Sequence, residues 1–258
     1  MGTVDAGGHR LEYAWHGRAR SGASPLVMLH EGLGSLSLWR DFPVELARAT
    51  RRRVLVYSRY GYGRSDPLTG PRQVDFMHVE ALEVLPELLR KLGIERPVLF
   101  GHSDGGSIAL IHAAKHPVAA VIALAPHVFV EAYGLASIAE TRRAYLEGDL
   151  RERLARRHAD ADSAFWGWND IWLAPDFVRW NVEALLPAIA CPVLAIQGID
   201  DRYGTMEQID RIGRGVPDFR RLELADCGHS PHRDQPAAVL AAAADFLRSI
   251  PGSTGTRR

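Results

Sequence analysis

The sequence predicts an α/β fold with a mostly parallel central sheet flanked by helices, and three observations predict it. Short, continuously apolar runs at 25–29, 54–57 and 98–100 read as strands covered on both faces. Segments of helical periodicity alternate with them at the spacing of right-handed crossovers in a parallel sheet. Each run then empties into a loop rich in glycine or polar side chains. The length permits such a core: 258 residues bury about three quarters of the surface their unfolded chain exposes, so no staple is needed.

Residues 10–16 alternate, with Leu11, Tyr13 and Trp15 on one side, as an edge strand does. Residues 25–29 lead into His30-Glu31-Gly32-Leu33-Gly34-Ser35, where glycine lets backbone N–H groups approach a ligand. Residues 54–57 lead into the loop that carries Arg59, Tyr60, Tyr62 and Arg64, read as a structural turn and not as a nucleic-acid contact. Apolar residues recur at helical spacing over 74–92, and Gly93 closes that helix. The strand at 98–100 meets Gly101-His102-Ser103-Asp104-Gly105-Gly106, followed by a helix that ends before Pro117 and a strand over 119–124.

From 127 to 187 about sixty residues read as helix after helix without a buried strand. A helical cap inserted into a core made of 1–126 and 188–252 is the economical reading. It holds four of the six tryptophans, Trp166, Trp168, Trp172 and Trp180, which either pack the cap or line an apolar pocket. Strands at 192–196 and 221–224 and helices over 205–212 and 237–247 complete the alternation, and the tail 253–258 is expected to be disordered.

Thirty-one lysines and arginines balance 31 aspartates and glutamates, which gives no electrostatic reason to expect nucleic acid or an anionic membrane. A small-molecule substrate is the expected partner. Two cysteines, Cys191 and Cys227, are too few for a disulfide framework. No apolar run approaches the ~18 residues of a membrane span and no leader pattern opens the chain, so the expectation is a cytoplasmic protein. No histidine or carboxylate cluster has metal-ligand spacing and no phosphate-cradling loop occurs, so neither metal nor cofactor is expected. Oligomeric state is not legible.

Gly101-His102-Ser103-Asp104-Gly105 has the strand before it and the helix after it that a sharp nucleophile turn requires, with Ser103 exposed at its tip and glycines two residues to either side. Serine does not attack unaided at neutral pH; a base must take its proton and a third group must orient the base. His229 follows the last strand and Asp201 the preceding one, which gives the chain order serine, acid, histidine.

That order, the Gly101–Gly105 turn, the His30-Glu31-Gly32 loop and a helical cap ahead of the acid resemble the α/β-hydrolase superfamily over nearly the whole chain. Within it, Gly101-His102-Ser103-Asp104-Gly105-Gly106 and Ala113-Ala114-Lys115-His116-Pro117 look like the valacyclovir hydrolase-like, or biphenyl hydrolase-like, branch. The resemblance implies the α/β-hydrolase fold, Ser103 as nucleophile, His229 as base and then acid, and Asp201 as the orienting carboxylate. Asp200 is the alternative acid; Asp201 is favoured because in similar proteins the acid lies three residues after the glycine matching Gly198. The resemblance further implies an oxyanion hole from the backbone N–H groups of Asp104 and Gly32. Glu31 departs from the pattern by standing where similar proteins have glycine.

The activity implied is cleavage of a carboxylic ester, lactone or thioester through an acyl-enzyme, on a small apolar or aromatic substrate met by Glu31, Trp166, Trp168 and Trp172. Asp104 and Glu31 either make the pocket mouth acidic, selecting an amino-bearing substrate, or are tied into neighbouring loops and helix ends. A carbon–carbon hydrolase or a cofactor-free perhydrolase on the same residues is the alternative chemistry, and a small-molecule receptor with a vestigial triad is the alternative outside enzymes. His102 is expected to pack, His30 to stabilise its own loop, and His232 to stand beside a helix cap or behind the site.

Overall fold

A computed structural model describes residues 1–18 and 22–250. The tail 253–258 lies outside the described residues. Strands β1 (Gly2–Ala6) and β2 (His9–His16) form an antiparallel hairpin, and β3 (Leu26–Leu29) leads through a 3-10 turn (Leu36–Trp39) to helix α1 (Phe42–Thr50) and β4 (Val54–Tyr57). Helix α2 (Phe76–Val79) continues through a π-helical turn (Glu80–Val84) into α3 (Leu85–Lys91), and β5 (Val98–His102), α4 (Asp104–Ala113) and β6 (Ala120–Leu124) follow. Helices α5 (Ala132–Glu147), α6 (Leu150–Ala155) and α7 (Ala161–Trp172), then two 3-10 turns, intervene before β7 (Val193–Gly198), α8 (Glu207–Gly215), β8 (Phe219–Leu224), α9 (Pro231–Asp234) and α10 (Pro236–Ser249).

The eight strands make one sheet in the order β1-β2-β4-β3-β5-β6-β7-β8. Only the pairs β1/β2 and β2/β4 are antiparallel; β4 through β8 are joined by parallel pairing. The apolar runs are explained by two cores. Val27 and Leu29 of β3 face one side with Leu88, Ile108 and Ile212, whereas Leu26 and Met28 face the other with Leu46, Val239 and Phe246. Alternation along a strand therefore sends every second side chain into a different core, and no position is left for a polar one.

Three elements were not anticipated: β1, α1 and the four-residue helix α9. The hairpin strand β1 is short and half exposed, and its sequence sign is Gly7-Gly8, both at positive φ in the two-residue turn that joins Ala6 to His9. Helix α1 begins at Phe42-Pro43, with proline in the first turn, where its missing N–H costs nothing. The expected helix over 74–92 is present, but Pro86 cannot donate to the ladder, and the turn ahead of it widens to π-helical spacing.

Candidate active site

Glycine places the serine. At Gly101 a methyl group would run into the Gly105 carbonyl, and at Gly105 into the carbonyl of Leu29 on β3. These two residues are glycine because backbone meets backbone. The positive φ of the turn falls on Ser103 itself (φ 53°, ψ −120°), a strained conformation for a residue with a side chain. Ser103 is not exposed at a tip: it is 7% accessible and faces a cavity of about 180 Å3.

The other polar candidates converge there from the carboxyl ends of their strands. His229, after β8, has Nε2 2.9 Å from Ser103 Oγ. Its Nδ1 lies 2.9 and 2.8 Å from the two carboxylate oxygens of Asp201, which follows β7. Nδ1 therefore carries the proton and donates it to the carboxylate, leaving Nε2 to accept from the serine hydroxyl. Asp201 also accepts from the Tyr203 backbone N–H at 2.8 Å and from Gln197 Nε2 at 2.7 Å, which fixes its plane. Burial raises its pKa, but His229 and the Tyr203 N–H outweigh burial and hold the carboxyl below its ordinary value. Asp200 is exposed, and its backbone N–H is spent on the Cys227 carbonyl.

Among the described residues, no hydrogen bond occupies the backbone N–H of Gly32 or of Asp104. Gly32 and Ser103 both line the cavity, and Asp104 N–H heads helix α4 beside it. A Cβ at residue 32 would collide with the indole of Trp168, so only glycine lets α7 close over this loop. A strained serine, a carboxylate-held imidazole and free amides can together move a proton and receive a developing negative charge.

The Asp104 side chain does not reach the pocket mouth. It is fully buried, accepts from Trp172 Nε1 at 3.2 Å and faces Arg59 Nη2 at 3.5 Å, so it balances a buried guanidinium. Burial pushes its carboxyl above the ordinary value, and Arg59, Arg72 and the Trp172 indole offset only part of that. Glu31 does line the cavity. Burial would raise its pKa too, yet His102, Arg233 and His232 beside it hold it well below the carboxylate range.

His102 does more than pack. Its Nε2 donates to the His229 carbonyl at 2.6 Å and its Nδ1 faces Glu31 Oε2 at 3.4 Å, so it clamps the backbone of the imidazole that meets Ser103. His30 joins two loops, donating from Nδ1 to the Glu31 carbonyl at 2.7 Å and accepting at Nε2 from the Arg59 N–H at 3.0 Å. His232 is buried against Trp39, Phe42 and His102, with no hydrogen-bond partner among the described residues for either ring nitrogen.

Trp168 and Trp172 line the cavity. Trp166 does not: its ring meets Phe165, Tyr145 and the Arg142 guanidinium on the other side of α7. Sequence reasoning missed His127, Ile138 and Tyr203, which line the wall together with Leu33 and Ser230. His127 follows β6 as the other polar candidates follow their strands, a usable sign; burial drives its pKa down to about 3, so the ring is neutral. Nothing in the pattern of α5 marks Ile138 as facing a cavity.

A family model described as the alpha/beta hydrolase family matches residues 26–243. A putative carbamate hydrolase RutD of Pseudomonas savastanoi pv. phaseolicola is 28% identical, covering 90% of this chain and 97% of that protein. The sn-1-specific diacylglycerol lipase ABHD11 of Danio rerio is 24% identical over 88% of this chain and 79% of its own length. Among solved structures, the enol-lactonase from Burkholderia xenovorans LB400 superposes with a TM-score of 0.73 at 21% identity, covering 96% of this chain and all of that one (100%). A carboxylesterase structure from Nitrososphaera gargenis reaches 0.78 at 24% identity, with 98% and 100% covered. Likeness at those identities speaks to the fold alone.

Proposed function

Because the chain belongs to the alpha/beta hydrolase family, and hydrolysis is its activity, we propose that it is a serine hydrolase that cleaves a carboxylic ester, lactone or thioester through an acyl-enzyme on Ser103. The observation that carries this reading is the unbroken line Asp201–His229–Ser103, with both links at 2.8–2.9 Å, opening on a cavity. Ser103 Oγ attacks the carbonyl carbon while its proton passes to His229 Nε2, and the Nδ1–H donation to Asp201 stabilises the imidazolium. The carbonyl π electrons move onto oxygen, which the N–H groups of Gly32 and Asp104 receive. As the intermediate collapses, His229 returns the proton to the leaving oxygen or sulfur. Water then attacks the acyl-enzyme as His229 takes its proton; when this second intermediate collapses, His229 returns the proton to Ser103 Oγ, and the carboxylic acid and free Ser103 result.

The walls support an apolar or aromatic portion of substrate against Trp168, Trp172 and Ile138. We read the segment 127–187 as a cap on a core of 1–126 and 188–252, because α5 and α7 supply those three residues. Asp104 in this reading contributes only its backbone N–H. Turnover of 4-nitrophenyl esters of graded acyl length, and labelling by a fluorophosphonate, test it. Ser103→Ala is expected to abolish labelling and to lower kcat by about 10⁴-fold or more. Labelling, or turnover near the wild-type rate, that survives in Ser103→Ala would remove the reading.

A further inference from the structure

A second groove, of about 760 Å3, adjoins the cavity and shares Glu31, Leu33 and Tyr203 with it. Six arginines reach this groove, Arg40, Arg153, Arg156, Arg157, Arg202 and Arg233, against the carboxylates of Glu31 and Glu140. In a chain whose charges balance at 31 and 31, this is a concentrated excess of positive charge beside the nucleophile. Three of the arginines have ion-pair partners: Arg233 with Glu31 (3.3 Å), Arg202 with Glu140 (2.6 Å) and Arg153 with Asp149 (3.2 Å). Arg40, Arg156 and Arg157 are exposed and have none among the described residues.

The unpaired arginines are held at the rim. Arg156 and Arg157 lie in the turn between α6 and α7, and the next two residues fasten that turn to the core. His158 Nδ1 accepts from the Gly63 N–H at 2.9 Å, its Nε2 donates to the Leu33 carbonyl at 3.2 Å, and the Ala159 N–H donates to the Gly63 carbonyl at 2.7 Å. Leu33 itself walls both spaces, so the arginine turn is anchored at their junction. On the other wall, Arg40 ends the 3-10 turn Leu36–Trp39 at φ 52°.

We propose that this groove is the anion subsite of the enzyme: the substrate carries a carboxylate or phosphate on the portion that extends outside the cavity, and the arginine rim receives it. The inference rests on Ser103 as the nucleophile and reverses the expectation of an acidic mouth. Guanidinium presents paired donors to planar or tetrahedral oxyanions, and clustered like charges along a groove raise the local concentration of the opposite charge. Glu31 and Glu140 do not cancel this, since each is matched by its own arginine.

The test compares kcat/KM for esters that differ only in charge. On the acyl side the pair is 4-nitrophenyl hemiglutarate and 4-nitrophenyl methyl glutarate; on the alcohol side, the phenylacetate esters of hydroxyacetic acid and of 2-hydroxyethyl phosphate are each set against the same ester with its acid group fully methylated. At least one charged ester is expected to exceed its neutral partner by about tenfold at low salt. The ratio should shrink at about 0.5 M NaCl and fall about threefold or more in Arg156→Gln/Arg157→Gln. Whether carboxylate or phosphate gains more identifies the anion. Ratios near one, or ratios indifferent to salt and to both substitutions, would overturn the inference. If wild-type protein turns over none of these esters and no fluorophosphonate labels Ser103, the nucleophile reading fails separately, and calorimetric titration of Ser103→Ala with glutarate and with inorganic phosphate decides the groove. Binding abolished by Arg156→Gln/Arg157→Gln sustains the subsite; no binding overturns it.

Discussion

The backbone and the side chain of Asp104 face different surroundings. Its N–H heads α4 with no hydrogen-bond partner among the described residues, while its carboxylate turns inward to Arg59, which is itself only 1% accessible. Removing one partner of a buried pair leaves an uncompensated charge, at a cost of about 3 kcal/mol. Asp104→Asn is therefore expected to lower folding stability by that amount in urea unfolding, and unchanged stability would contradict the pairing. That Ser103, Asp201, His229 and Gly32 come together was legible because each follows a strand, and sheet topology gathers such positions at one edge. The direction of the Asp104 side chain was not, because its partner lies on another loop. Trp166 was misjudged for a helical reason: Trp168 and Trp172 are four apart and share a face of α7, while Trp166 stands about 200° from Trp168.

At the scale of elements, the crossing of β5, α4 and β3 sets the position of Ser103, and it does so by excluding side chains. Gly105→Ala places a methyl group against the Leu29 carbonyl, with backbone on both sides and nothing able to rotate away. Its cost is expected to reach about 3 kcal/mol, read as a lower urea midpoint, with α4 displaced from β3 in a crystal structure of the variant. An unchanged midpoint would mean that the approach is looser. The buried strands were readable because a short, unbroken apolar run bounded by turn residues suits a strand covered on both faces better than a helix, which needs more length. Strand β1 and helix α1 were not, since one is a half-exposed edge that depends on its Gly7-Gly8 turn and the other is a short helix close behind a 3-10 turn.

Over the whole molecule, buried histidines make stability depend on pH. Burial lowers His112 to about 4 and His127 to about 3, while the unfolded chain binds those protons near 6.5. Below pH 6.5 the unfolded state therefore holds more protons than the folded one, and stability falls on acidification by about 1.4 kcal/mol per pH unit for each such histidine. Asp201, whose pKa is depressed, adds to the loss only as pH falls through the carboxylate range. The urea midpoint is expected to be lower at pH 5.5 than at pH 7, with a smaller difference in His112→Gln; equal midpoints would contradict the burial of neutral rings. The same molecule carries no net charge yet gathers unpaired arginines in the groove that adjoins the Ser103 cavity, a separation that composition alone conceals.

The acyl-enzyme itself is the most direct object of measurement. During turnover of a 4-nitrophenyl ester, rapid quenching and mass spectrometry of the proteolysed chain should find the acyl mass on the peptide containing Ser103, forming before the steady state and absent from Ser103→Ala. Wild-type turnover with that peptide unmodified at every quench time, or an acyl adduct on another residue, would contradict nucleophilic attack by Ser103.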